Sequence, residues 1–158
     1  QLRVFFGALV VVLIAALPAR AAPVDDLVAK YLPWVAAQTH YKVNYVRVHV
    51  VFATAVALKA IAHSPGYKGQ GEAASGTIGT TVFLPSTFQI GKNDDDLVHE
   101  LVHVLQNANG ATFSCWQSME AEAYSLQDRF VEEFGIGEKT DYLYLWMISH
   151  CPNPYGLP

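Results

Sequence analysis

Two histidines four residues apart, with a glutamate directly after the first, are the side chains of this sequence best suited to metal chemistry. They are His99, Glu100 and His103, in a His-Glu-x-x-His pattern. On an α-helix, positions i and i+4 share a face, so His99 and His103 can direct two imidazoles at one ion. Glu100 lies about 100° round the helix, where it can reach a water on that ion. The spacing therefore predicts a two-histidine metal site with a carboxylate placed as general base.

The surrounding residues predict the helix that this pattern needs. Asp94, Asp95 and Asp96 offer N-cap and first-turn carboxylates. Residues 107–110 contain two asparagines and a glycine, which are typical of a helix end. Between them runs an apolar stripe made up of Leu97, Leu101, Val104 and Leu105. The metal pattern is therefore expected on an amphipathic helix.

A third ligand is expected downstream, because catalytic zinc usually has three protein ligands and one position for water. Residues 118–127 also have the pattern of a helix, on which Glu120 and Glu122 lie about 200° apart, so both cannot bind one metal. Glu120 shares a face with Tyr124 and Gln127, whereas Glu122 shares one with serines and charged residues and is expected to face solvent. We predict Glu120 as the inward carboxylate, the alternative being two surface glutamates.

A His-Glu-x-x-His helix followed by a helix carrying Glu120 and Ala123 resembles the gluzincins, the glutamate-liganded branch of the zinc metallopeptidases. The resemblance covers roughly residues 92–134, and the chain is also similar to small exported bacterial zincin-like proteins. It implies that His99, His103 and Glu120 bind zinc. The metzincin pattern is excluded, because it requires glycine and histidine where this chain has Gln106 and Asn109.

The same resemblance assigns the catalytic residues. Glu100 would be the general base that takes a proton from water and passes it to the leaving amine. Tyr124 occupies the position where many gluzincins have an aspartate that supports a histidine, and its hydroxyl could donate or accept a hydrogen bond there. The oxyanion needs a donor besides zinc; the candidates are Tyr124, Tyr142, Tyr144 and His150. Gln106 shares the histidine face and could orient a ligand, line the cleft or simply pack.

Residues 1–22 have the pattern of a cleaved secretory signal. Arg3 precedes an unbroken apolar run from Val4 to Leu17, and Ala19-Arg20-Ala21 gives the small-x-small pattern of a signal-peptidase site. The run is short for a membrane span, which needs about 20 apolar residues. We therefore expect a secreted or periplasmic protein without a stable membrane span after cleavage.

The remaining residues 23–158 are expected to form one domain, since about 136 residues suffice for a continuous core. Without Arg3 and Arg20, eight basic residues face 14 acidic ones, and the formal charge falls from −4 to −6. An acidic domain argues against nucleic acid as a partner, because phosphate binding requires a basic face. A peptide or protein substrate is expected instead, and the sequence indicates no particular oligomeric state.

Periodicity and turn residues predict the other elements. Helices are expected at 24–40, from about 118 to 134 and at 142–150, with a kink or break at Pro33. Strands are expected at 43–52 and 76–84, while 53–62 fits a helix or a strand extension. Loops are expected at 63–71 and 152–158. The strand at 76–84 could be a sheet edge that binds extended substrate, as in zincins, or a plain core strand.

Cys115 and Cys151 are the only cysteines, and in an oxidising environment they are expected to form a disulfide. The alternative is two separate thiols.

These expectations combine into an α+β, zincin-like domain with a small sheet, an active-site helix, a ligand helix and a C-terminal helix. The predicted function is zinc-dependent hydrolysis of peptide bonds outside the cytoplasm. The alternative is a non-catalytic, zinc-stabilised binding domain of the cell envelope, in which Glu100 would have no chemical role.

Overall fold

The computed structural model describes residues 21–63 and 75–151, where the chain forms five helices and three strands. In chain order they are α1 (Ala21–Gln38), β1 (His49–Ala53), α2 (Ala55–Ala62), β2 (Gly76–Ile78), β3 (Thr81–Pro85), α3 (Asp94–Ala108), α4 (Trp116–Phe134) and α5 (Tyr142–Ser149). The predicted α+β class is confirmed, while the zincin-like arrangement stays a prediction. Residues 1–20 of the predicted signal, most of the loop at 63–71 and the tail at 152–158 lie outside the described residues.

A three-stranded sheet has β3 at its centre, with β1 paired in parallel on one side and β2 antiparallel on the other. The single strand predicted at 76–84 is therefore wrong, because the chain turns back between β2 and β3. Gly79 at this turn has a φ of 60°, a conformation that glycine adopts without steric penalty. The strand predicted at 43–52 is shorter than expected, since only His49–Ala53 is paired. Among the described strands, β2 and β1 are the two edges.

The helix α3 lies at the centre of the molecule and is buried on almost every side. From Asp94 to Gln106, every residue except Asp96 is buried. Its apolar side chains pack with β3 and α1 in a core that contains Tyr31, Val35, Val82, Leu84, Leu97, Val98, Leu101, Val102, Val104 and Leu105. Each such side chain contributes roughly 1.5–3 kcal/mol on burial. Polar side chains on α3 are therefore held by a rigid, close-packed helix.

The helix α1 runs through Pro33 as one element, so of the predicted kink or break, the break is wrong. Pro33 is exposed, whereas its neighbours Tyr31, Leu32 and Val35 are buried in the core. The carbonyl that loses its helical partner to the proline therefore lies on the solvent side, where water can satisfy it. The ambiguous segment 53–62 forms the helix α2, which begins after Thr54; the side-chain oxygen of Thr54 accepts a hydrogen bond from the Ala57 amide at 3.3 Å.

The helix α4 packs antiparallel to α3. Gln127 contacts the beginning of α3 at Asp95, and the Gln106 side chain near the end of α3 contacts the Met119 carbonyl near the beginning of α4. The two predicted metal-binding segments are thereby brought side by side. Within the described ranges, no helix has both the length and the apolar character that a membrane span requires.

The predicted disulfide is confirmed. Cys115, the residue before α4, is bonded to Cys151, just after α5, and their Cα atoms are 5.6 Å apart. The bond fixes the C-terminal helix to the start of the helix that carries Glu120.

Replacing both cysteines with serine is expected to lower the free energy of unfolding by about 3–4 kcal/mol, because the bridge closes a loop with a sequence separation of 36 residues. Urea denaturation of the oxidised wild type and the double variant measures this difference. Equal denaturation midpoints and slopes would contradict it.

Candidate metal centre

His99 and His103 lie on one face of α3 with their ring nitrogens converging, as the helical spacing predicts. Their Nε2 atoms are 3.1 Å apart, and the Glu120 Oε2 of α4 lies 3.2 Å from the first and 3.4 Å from the second. The three side chains are largely buried, with 10%, 9% and 12% of their surface exposed. Two imidazole nitrogens and a carboxylate oxygen in such a cluster could hold a metal ion.

The donor chemistry of this cluster fits a cation. An ionised glutamate such as Glu120 can act only as an acceptor or metal ligand. Each neutral imidazole has one lone pair, at the ring nitrogen that carries no hydrogen. Burial by itself raises the pKa of Glu120, but its contacts with His103 and His99 outweigh burial and lower the pKa to about 2. Burial by itself lowers the pKa of His103, but its hydrogen bond to Glu120 and the charges of Glu120 and Glu100 raise the pKa to about 9.

The beginning of α3 differs in one detail from the prediction. Asn93 is the N-cap, and its side chain makes no capping hydrogen bond, so the aspartates act in the first turn rather than as a cap. Asp94 is instead held by the rest of the fold, accepting hydrogen bonds from the Tyr31 hydroxyl and the Gly91 amide, both at 2.8 Å. These contacts tie α1 and the preceding turn to α3, and so fix the helix that carries both histidines.

Glu100 is buried and points at the edge strand β2. Its Oε1 accepts a hydrogen bond from the Ser75 hydroxyl and its Oε2 one from the Thr77 hydroxyl, both at 2.6 Å. Because an ionised carboxylate has about four acceptor positions, two remain for a water or a substrate proton. Thr77 lies in β2 and Ser75 directly precedes it, yet the sequence prediction did not identify either residue as part of the site.

Each histidine is held at its second nitrogen by a glutamine. His99 Nδ1 lies 3.0 Å from Gln127 Oε1, and His103 Nδ1 lies 2.8 Å from Gln106 Oε1. Gln106 was an undecided prediction, and its contact with His103 favours ligand orientation. Gln127 was placed on the face of Glu120 by the helical pattern but was not predicted to contact a histidine.

A carboxylate in turn holds each glutamine. Gln127 Nε2 donates to Asp95 Oδ2 at 3.0 Å, and Gln106 Nε2 donates to Glu122 Oε2 at 2.9 Å. Glu122 also accepts a hydrogen bond from the Tyr41 hydroxyl at 2.8 Å. Glu122 is therefore half-buried rather than fully in solvent as predicted. The segment after α1 covers that side of α4, which periodicity within α4 alone does not indicate.

Tyr124 lies against His99 through its ring rather than its hydroxyl. The two ring centroids are 4.4 Å apart with the planes at 66°. Burial and a hydrogen bond with Tyr144 raise the pKa of Tyr124, so its hydroxyl stays protonated and can donate. The predicted histidine support comes instead from Gln127 and Gln106, and the catalytic role of Tyr124 stays a prediction.

The other predicted oxyanion donors lie on or directly after α5. Tyr144 reaches the site through its contact with Tyr124, at a centroid distance of 5.9 Å. Tyr142 is 81% exposed, and the His150 ring packs on Trp146. Tyr124 contacts the predicted metal ligand His99 directly.

Gly137 packs directly on Asp95, and replacing it with alanine is expected to disturb the site. A Cβ at Gly137 would lie 2.1 Å from the Asp95 Cγ, whereas one at Gly135 would meet nothing within 4 Å. Both glycines have positive φ, 95° and 68°. Gly135→Ala should therefore cost about 1–2 kcal/mol through backbone strain. Gly137→Ala should cost a further ~1–3 kcal/mol through overpacking.

Because Asp95 holds Gln127, Gly137→Ala should also weaken metal binding, and Gly135→Ala should not. Urea denaturation and zinc titration of the two variants measure both effects. Equal losses in the two variants would show that the contact with Asp95 is unimportant.

Fold and site together define a mixed α+β protein with a buried candidate metal centre of two histidines and a glutamate. The chain belongs to the family described as a domain of unknown function (DUF6647), whose profile matches residues 20–155. No curated protein matches the sequence, and no solved structure matches the fold.

Proposed function

We propose that this protein is an exported zinc metallopeptidase with a zincin-like fold, similar to the gluzincins. In this proposal His99, His103 and Glu120 hold the zinc ion, and Glu100 is the general base. The observation that carries the proposal is the convergence of two Nε2 atoms and one carboxylate oxygen, 3.1–3.4 Å from one another, on helices fixed in the core. Two histidines and one carboxylate, with a fourth position left for water, are a typical ligand set of catalytic zinc.

The residues around the proposed zinc ion have different roles in peptide hydrolysis. When bound, zinc would polarise the scissile carbonyl and lower the pKa of a coordinated water towards about 7. Glu100 takes the proton of the attacking water on a free carboxylate position and delivers it to the leaving amine. Ser75 and Thr77 hold that carboxylate in place through their hydroxyl groups. Tyr124, protonated and next to His99, is the proposed donor to the developing oxyanion.

The edge strand β2 is the proposed binding element for the substrate backbone. One side of β2 pairs with β3, and no described strand pairs with the other. An extended peptide can add to such an edge through main-chain hydrogen bonds. Thr77 joins β2 to Glu100, so a peptide bound there would lie beside the general base.

One observation favours a second function, a zinc-stabilised binding domain without catalysis. Both oxygens of Glu100 already accept hydrogen bonds, one from Thr77 in β2 and one from Ser75 just before it, so Glu100 could serve only to anchor that strand to α3. The free acceptor positions on the carboxylate and the adjacent metal ligands favour the enzyme over this alternative.

Export to the periplasm or the medium is part of the proposal. It is supported by the disulfide between Cys115 and Cys151, because such bonds persist in oxidising compartments. The signal pattern at residues 1–22 also supports export.

The test of the proposed function combines zinc analysis of the purified protein with hydrolysis of a mixed peptide library. We expect about one zinc per chain and cleavage that a chelator abolishes. Zinc without cleavage would favour the binding domain, and absence of zinc would overturn both functions.

A further inference from the structure

Both imidazoles of the candidate metal centre are held by the same arrangement, a glutamine whose amide is itself held by an acceptor. His99 contacts Gln127, and Gln127 in turn donates a hydrogen bond to Asp95. His103 contacts Gln106, which donates hydrogen bonds to Glu122 and, at 3.2 Å, to the Met119 carbonyl.

The outer acceptors determine which end of each amide faces its histidine. A backbone carbonyl can only accept, so the Gln106 nitrogen must face Met119 and its oxygen must face His103. The Asp95 carboxylate oxygen, which accepts from Gln127 Nε2, orients the Gln127 amide in the same way. Each glutamine therefore presents an oxygen, which only accepts, to the Nδ1 of a histidine.

This fixed oxygen determines where the imidazole carries its hydrogen. A ring nitrogen 3.0 Å or 2.8 Å from an acceptor oxygen must donate, so Nδ1 carries the hydrogen in both rings. In the neutral ring, Nε2 then has the lone pair, and both Nε2 atoms face Glu120.

We propose that Gln127 and Gln106 are positioning residues that hold both imidazoles as Nδ1–H tautomers, and that Asp95 and Glu122 act through them. The inference rests on the proposed zinc centre but not on peptide hydrolysis. The glutamines are themselves buried, at 7% and 1% exposure, so water cannot easily replace them as acceptors. Hydrogen-bond partners of metal-binding histidines typically change metal affinity 10–100-fold when removed.

Zinc affinity, measured by competition with a chromophoric chelator, tests the proposal. We expect Gln127→Leu and Gln106→Leu each to lower the affinity by about 10–100-fold. The matched control is Gln117→Leu, a glutamine on α4 with 9% exposure whose buried Oε1 has no hydrogen-bond partner in the structure. This control should bind zinc as the wild type does. Unchanged affinity in both test variants, or an equal loss in the control, would overturn the proposal.

A double-mutant cycle separates action through Gln127 from a general structural effect. Asp95→Asn should lower zinc affinity in the wild type, because asparagine can donate or accept and no longer fixes the amide. In the Gln127→Leu background, Asp95→Asn should have no further effect. Additive losses would show that Asp95 acts independently of Gln127 and would contradict the proposed relay.

Nitrogen-15 NMR of the zinc-loaded wild type needs no variant. It therefore tests the proposed tautomers even if a substitution prevents folding. We expect zinc on Nε2 and a bound hydrogen on Nδ1 in both His99 and His103. Zinc on Nδ1 of either ring would overturn the inference while leaving the zinc centre in place. A wild type that binds no zinc would overturn both.

Discussion

Replacing Glu100 with glutamine is expected to abolish peptide hydrolysis while leaving zinc binding nearly intact. Glutamine keeps the size of the side chain but cannot take a proton from water. General acid–base catalysis typically contributes a factor of about 10²–10⁴, so kcat should fall by that amount. Glu100 is not among the three grouped ligand residues, and its oxygens lie against Ser75 and Thr77. The zinc affinity of the Glu100→Gln variant should therefore differ little from that of the wild type.

The turnover number and the zinc affinity should be measured on the same preparations, with Glu138→Gln as the control. Glu138 is exposed, so this variant makes the same chemical change on the surface and should retain both properties. Full turnover by Glu100→Gln with zinc bound would remove Glu100 from the mechanism. Its role would then be the anchoring of β2.

Removing zinc is expected to destabilise the folded protein. A ligand that binds only the folded state stabilises it by about 3–4 kcal/mol at 100 to 1,000 times its dissociation constant. For a domain of this size, the thermal midpoint should fall by roughly 10 °C when a chelator removes the ion. The buried, convergent side chains are the physical reason, because an ion held between them would link α3 to α4.

Differential scanning calorimetry of the zinc-loaded and chelated protein measures this shift. Glu120→Gln should greatly reduce the difference, since the variant lacks the carboxylate that links α4 to the histidines. A midpoint that does not respond to zinc in the wild type would contradict the proposed centre.

Helical periodicity was sufficient to predict which candidate ligand side chains lie together. The i, i+4 spacing of His99 and His103 fixes a common face whatever the rest of the fold does. Glu120 could be chosen over Glu122 because its face of α4 carries more apolar residues. The structure places Glu120 Oε2 within 3.4 Å of both histidines.

Contacts made by distant segments could not be predicted in the same way. Glu122 was expected in solvent, but Tyr41, 81 residues earlier, covers it and donates a hydrogen bond. Likewise, Ser75 and Thr77 reach Glu100 only because the hairpin of β2 and β3 lies along α3, with Gly79 O accepting a hydrogen bond from Asn107 Nδ2. Such pairings depend on the tertiary fold, which the pattern of one segment does not encode.

The strands show a related limit. The alternation from 76 to 84 was correctly identified as β-structure, but the turn at Gly79 was not recognised as a hairpin. Glycine in a strand pattern can mark a bulge, a close approach or a turn, and the sequence of the strand alone does not distinguish them. The consequence matters for function, because it is the hairpin that makes β2 an edge.

Anomalous diffraction at the zinc absorption edge, from crystals of the purified protein, tests the zinc centre most directly. We expect one strong peak within about 2.0–2.2 Å of His99 Nε2, His103 Nε2 and a Glu120 oxygen. A zinc-loaded crystal with no peak between these side chains, or with zinc bound only elsewhere, would contradict the proposed metal centre and the hydrolase that depends on it.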